Sequence, residues 1–156
     1  MERFERALDR ALGIFAILLF LAVFAVVLAQ VFFRYVLNEP LIWSEELARY
    51  LFIWLCFLGW VIASRREEHI LITALRDRLK PALRRTIPIL AELAHLLLAL
   101  LLLRYGFAMM LRNVKVGTVT LFFPFAVVYA VVPAAALLIA WTAVRHIHRR
   151  LREMRA

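Results

Sequence analysis

RYVLNEPLIWSEELARYLFIW, from Arg34 to Trp54, is the stretch where charge, turn chemistry and aromatic residues crowd together between two long apolar runs. Pro40 cannot donate to a helix ladder and pushes Glu39 out of the α region, so Asn38, Glu39 and Pro40 end whatever helix precedes them. Ser44 stands where the cap of a new helix belongs, its oxygen placed to take an orphan N–H. Glu45 and Glu46 fall in the first turn, at the positive end of the helix dipole. The capping box is incomplete, because Leu47 occupies the third position after Ser44. Glu45 and Arg49 are four apart on one face, acid first, the better orientation for a pair. Tyr35, Trp43, Tyr50 and Trp54 bracket the turn as interface anchors, in the manner of an aromatic belt. The stretch reads as a hairpin between two membrane helices with its tip at a water interface.

Composition agrees. Of 156 residues, 65% are apolar and the mean hydropathy is +0.84. Soluble domains run near half apolar, so the expected class is an all-α polytopic membrane protein forming a single domain. Upstream, Gly13 to Phe33 gives 21 residues with one polar member, Gln30, enough to cross about 30 Å of hydrocarbon. A signal peptide competes, since Val27-Leu28-Ala29 could pass as a cleavage site. The apolar run is longer than such signals need and continues past the site, which favours a retained helix.

Downstream, a second span covers about 45–63. Cys56, Gly59 and Ala63 fall along one stripe, and Gly59 with Ala63 forms a small-xxx-small pair. That face serves either packing within the chain or docking of a second protein. Residues 64–86 carry seven basic side chains, while Ile72, Leu75, Leu79 and Leu83 recur at helical spacing. An amphipathic helix over about 72–85, lying in the headgroup plane, is expected. A plain loop is the other reading. The third span covers about 87–103, with an extension to Met110 open, and carries Glu92 and His95 three apart on one face. Ionisable groups at membrane depth are functional candidates, although both also fit pairing or hydrogen bonding within the bundle. Arg104 to Thr118 reads as a polar link, and the fourth span covers about 119–143. Pro124 and Pro133 lie within it, and Pro124 either kinks the span or marks its start. His146 and His148 belong to a basic tail read as a stop at the membrane surface, with anionic lipid within reach.

The net charge of +9 follows this layout. Fifteen basic residues lie in the N-terminal lead, the middle loop and the tail. Five lie on the other side: Arg34, Arg49, Arg104, Arg112 and Lys115. Both termini are therefore expected in the cytoplasm. Topology explains the charge without a nucleic-acid partner. Cys56 is the sole cysteine, so no internal disulfide or thiol redox pair can form. No phosphate-binding glycine loop appears, and the two serines, Ser44 and Ser64, build no catalytic triad. Haem held by two histidines would need a second one at depth beside His95. No cofactor or metal is expected.

The block Arg34, Tyr35, Asn38, Pro40, Trp43, Ser44, Glu45, Glu46, Leu47, Ala48, Arg49, Tyr50 and Trp54 resembles the DctQ-like small membrane subunit of TRAP (tripartite ATP-independent periplasmic) transporters. Gly59, His69-Ile70, Gly117-Thr118, Pro124, Tyr129 and Pro133 extend the likeness over nearly the whole chain. The resemblance implies a non-catalytic subunit of the bacterial inner membrane. It implies two partners, a large membrane subunit and a periplasmic substrate-binding protein that captures a substrate, often a carboxylate. The large subunit would move that substrate by a sodium-driven elevator motion and hold the sodium and substrate sites. The small subunit would steady its static scaffold in the bilayer lipids. Arg34, Glu45, Glu46 and Arg49 would then act as a structural charge cluster fixing the hairpin; helix capping and interface anchoring are their simpler role. Two other classes stay open: a stand-alone four-helix redox or metal enzyme using Glu92 and His95, and a self-assembling exporter.

Overall fold

In a computed structural model the chain is all-helical, and the structure describes residues 2–66 and 81–153. Helix α1 runs Glu2–Tyr35, α2 Ile42–Arg66, α3 Pro81–Arg112, α4 Phe125–Tyr129 and α5 Val131–Glu153. Among the described residues four segments are long and apolar enough to cross a membrane: Glu5–Tyr35, Ile42–Arg65, Ile89–Arg112 and Phe125–Arg149. The helices exceed the apolar cores read from sequence, because nothing breaks the ladder where hydrophobicity ends. The charged N-terminal lead continues directly into α1. Arg104 to Arg112, expected as part of a link, forms the last turns of α3. Of the expected in-plane helix, 72–80 lies outside the described residues, and 81–85 belongs to α3.

The breaks have local causes. Asn38 takes a left-handed conformation with φ 54°, which asparagine tolerates better than most residues. The chain reverses there, and the Glu39 N–H donates back to the Phe33 carbonyl at 3.1 Å. Pro124 stands at the start of α4 with extended backbone, φ −74° and ψ 152°. Pro133 has no N–H for the Tyr129 carbonyl, so the ladder lapses at Ala130 and the fourth span divides into α4 and α5.

The helices form a row rather than a closed bundle. α1 packs on α2, α2 on α5, and α5 on α3, while α1 touches neither α3 nor α5 along its backbone. The core sits at the α2–α5–α3 junction, where Val61, Ala99, Ala135 and Ile139 are all buried. Along α3 the residues Glu92, Ala99 and Gly106, seven apart, are buried together. They run antiparallel to His146, Ile139 and Val132 of α5. Small residues let these two backbones approach, the usual device where lipid offers no hydrophobic drive. A Cβ at Gly106 would lie 2.6 Å from Val132 Cγ1 and 3.4 Å from Pro133 Cδ, whereas one at Gly59 would meet nothing within 4 Å.

This contrast sets a test. Gly106→Ala should destabilise the detergent-solubilised chain by about 1–3 kcal/mol through overpacking against the stiff, β-branched Val132. Gly59→Ala should be neutral or slightly stabilising, since alanine is the better helix former by about 1 kcal/mol. Thermal unfolding followed by helical circular dichroism compares the two, and equal losses would contradict the packing described.

Candidate functional site

Chain reversal at Asn38 and the polar link after α3 bring residues 36–46 and 113–124 to the same end of the row, the hairpin end. Asn113 closes α3, its side-chain amide donating to the Met109 carbonyl at 2.8 Å. The link then folds on itself. Phe125 N–H donates to the Val116 carbonyl at 2.9 Å, Thr118 N–H to the Phe123 carbonyl at 3.2 Å, and Gly117 bridges Pro124 antiparallel. The Thr118 hydroxyl lies within reach of the Leu121 and Phe123 carbonyls, at 2.7 and 2.9 Å.

One carboxylate ties this loop to α2. Glu46 accepts the N–H of Val119 at 3.1 Å and the N–H of Thr120 at 2.7 Å. It also accepts the Thr120 hydroxyl, and the Tyr50 hydroxyl at 2.5 Å. Four donors converge on one side chain, and bonds to an ionised acceptor are about twice as strong as neutral ones. The Tyr50 ring sits edge-on to Phe123 and Phe125, at 6.2 and 5.8 Å between centroids. Held this way, the loop projects Val119 and Phe122 into the open, both almost fully exposed.

The sequence-predicted residues divide. Glu45 pairs with Arg49 at 3.0 Å, on the exposed surface. Glu46 joins the loop instead, and Arg34 is exposed in the last turn of α1. The two neighbouring acids take different partners, because successive residues on a helix point about 100° apart and Glu46 faces the neighbouring loop. Ser44 lies inside the first turn of α2 and is fully buried; its hydroxyl donates to the Leu41 carbonyl at 2.7 Å rather than accepting a helix N–H. The cap expected there is displaced because the helix begins two residues earlier, at Ile42. Tyr50 is buried, so it packs the loop and is not a lipid-facing anchor. Tyr35 and Trp43 are exposed, and Trp54 is half-buried. Cys56, Gly59 and Ala63 all face away from this chain's other helices.

At the opposite end, where the described termini lie, Glu92 is buried and bonded to His146 Nδ1 at 3.2 Å. His95 instead bonds the Ala91 carbonyl of its own helix, at 2.9 Å. Glu92, open in sequence to pairing within the bundle, thus contacts α5. Antiparallel counting from the fourth span could have found His146; reading it as tail hid it. Thr120 was missed because a threonine between apolar runs carries no mark of its own. Asp9 with Arg65 and Glu5 with Arg145 complete the terminal end. Among the described residues no three His, Cys, Asp or Glu side chains gather as a metal site.

Glu46→Ala should free the loop. Amide exchange at Val119 and Thr120 should quicken on the order of tenfold to a hundredfold, the scale of lost charge-assisted bonds. Glu45→Ala should leave both amides unchanged, since exposed pairs contribute little. Hydrogen-exchange mass spectrometry reads both, and equal effects from the two variants would refute the latch.

Comparison with known proteins agrees with this architecture. Residues 23–153 match the family described as Tripartite ATP-independent periplasmic transporters, DctQ component. The chain is 31% identical over 121 residues to the sialic acid TRAP transporter small permease protein SiaQ of Vibrio cholerae, covering 78% of this chain and 70% of that one. It is 35% identical over 88 residues to the sialic acid TRAP transporter permease protein SiaT of Haemophilus influenzae, covering 56% of this chain and 14% of that protein. The chain belongs to the DctQ family of TRAP transporter small membrane subunits.

Proposed function

We propose that this subunit is the static, non-transporting part of a sodium-coupled TRAP transporter of the bacterial inner membrane, with both termini cytoplasmic. As a transporter subunit it is not an enzyme. It steadies the scaffold of a large membrane subunit while that subunit carries a carboxylate substrate delivered by a periplasmic binding protein. The row of helices is the observation that carries the reading. A closed four-helix bundle would bury its own small-residue faces, whereas here Cys56, Gly59 and Ala63 of α2 lie open. Small open stripes suit close approach by another membrane helix. The large relative SiaT, of which the matched region is 14%, joins such a segment and much further chain in one polypeptide. The hairpin-end loop held by Glu46 serves as surface toward the binding protein.

Co-expression with a large TRAP membrane subunit of the same organism, then purification through a tag on one chain, tests this. The two should copurify, and sodium-driven carboxylate uptake in proteoliposomes should require both. Gly59→Leu should leave the isolated chain folded yet reduce copurification at least tenfold, because a bulky side chain separates the helices. Undiminished pairing by Gly59→Leu would move the docking face elsewhere. Uptake by the large subunit alone at full rate would overturn the scaffold role.

A further inference from the structure

The link between α3 and α4 turns back toward the bilayer before α4 begins. On this side three of the apolar spans close at Ile42, Arg112 and Phe125. Trp43, exposed beside Ile42, occupies the level favoured by interfacial tryptophan. Glu46 lies three residues further along α2, about 5 Å nearer the bilayer centre at 1.5 Å per residue. Val119 and Thr120 donate to Glu46, and the Phe123 ring meets Tyr50, one turn deeper still. Phe122 stands between these residues in the chain, so the tip of the link lies inward of the tryptophan level.

The residue order suits a loop that dips. Asn113 and Lys115 come first, and the apolar run Val119-Thr120-Leu121-Phe122-Phe123 follows. Polar groups of the run turn inward. The N–H groups of Thr118, Val119, Thr120 and Phe125 have acceptors within the chain, as do both threonine hydroxyls. Val119 and Phe122 turn outward, and none of the described residues covers them. Non-helical backbone tolerates a medium poor in water only where its polar groups are satisfied. The Glu46 carboxylate supplies acceptors for two backbone N–H groups and one hydroxyl, which removes the main obstacle to lowering this loop into lipid.

We infer that Val119 and Phe122 form a lipid-inserted tip, seated where headgroups meet acyl chains in the leaflet at the hairpin end, with Glu46 as the positioning residue. Amphipathic elements bury their apolar side about 5–10 Å into this layer. Asn113 and Lys115 stay in water, on the side left to the binding protein. Because α4 begins at Phe125, directly behind the tip, insertion fixes the height of the fourth span in the bilayer. Vertical displacement of that span would draw a phenylalanine out into water.

Spin labelling of the full chain in phosphatidylcholine nanodiscs tests this. Cys56→Ala removes the native thiol, so that a single nitroxide is attached through Phe122→Cys, Val119→Cys or Lys115→Cys. Power saturation compares collisions with oxygen, which concentrates in lipid, against collisions with a nickel chelate confined to water. The oxygen-to-nickel ratio should be severalfold higher for the labels at Phe122 and Val119 than for the label at Lys115. Glu46→Ala should lower the Val119 and Phe122 ratios to that at Lys115, whereas Glu45→Ala should leave them high. Val119→Cys keeps Phe122 in place, and the three labels decide even where Glu46→Ala does not fold. Equal ratios at Lys115, Val119 and Phe122 would overturn the insertion. Loss of collisions with both reagents when the purified binding protein or large subunit is added would also overturn it, by assigning the tip to a protein partner.

Discussion

The close approach of α3 and α5 is the contact on which the other helices depend. Within a bilayer, lipid tails satisfy apolar side chains as well as another helix does, so association needs tight van der Waals packing or polar contacts. Both occur on this seam. Gly106 admits Val132 and Pro133, Ala99 sits in the core with Ala135 and Ile139, and Glu92 meets His146. α2 then leans on the finished pair through Val61, and α1 leans on α2.

The Glu92–His146 pair illustrates the balance of terms. Burying an ionisable pair costs several kcal/mol of desolvation per charge, and the attraction recovers this only with good geometry. Its benefit is better sought in specificity. A polar pair at one seven-residue step of the seam penalises a slide of α5 by one turn, because that slide would break a buried polar contact. Gly106 enforces the same register sterically at the other end. One end of the seam is set by polar pairing and the other by shape.

Much of this was legible in the residue order. Four spans, the reversal at Asn38 to Pro40, and the break brought by Pro133 follow from hydropathy and proline chemistry, which act locally. Less legible were relations between distant segments. Glu46 looks like Glu45 in sequence, yet one binds a loop more than seventy residues away while the other pairs at the surface. Which acid meets the loop depends on the rotation of α2, and its low amphipathicity hides that rotation. Tyr50 misled for a related reason: a tyrosine near a span end suits the headgroup layer, but a neighbouring loop can cover it. His146 was placed in a tail because apolar character ends at Ala143, while the helix and its packing continue. The family resemblance carried the function, and residue chemistry alone would have stopped at a membrane scaffold.

The distance in sequence between Glu46 and its loop has a consequence for biosynthesis. The chain emerges from its N-terminus, so Glu46 is made long before Val119 and Thr120 exist to meet it. Until then its carboxylate, hydrated and charged, resists being drawn into the bilayer and holds the mouth of α2 at the surface. The bonds to Val119 and Thr120 close only after α3 has crossed and its link has folded back, so they follow the α1–α2 contact and precede the packing of α5. A chain stalled after its second helix, or one whose third helix failed to insert, would display an unsatisfied acid and an uncovered Tyr50 at the hairpin end. The latch thereby distinguishes a completed subunit from an incomplete one.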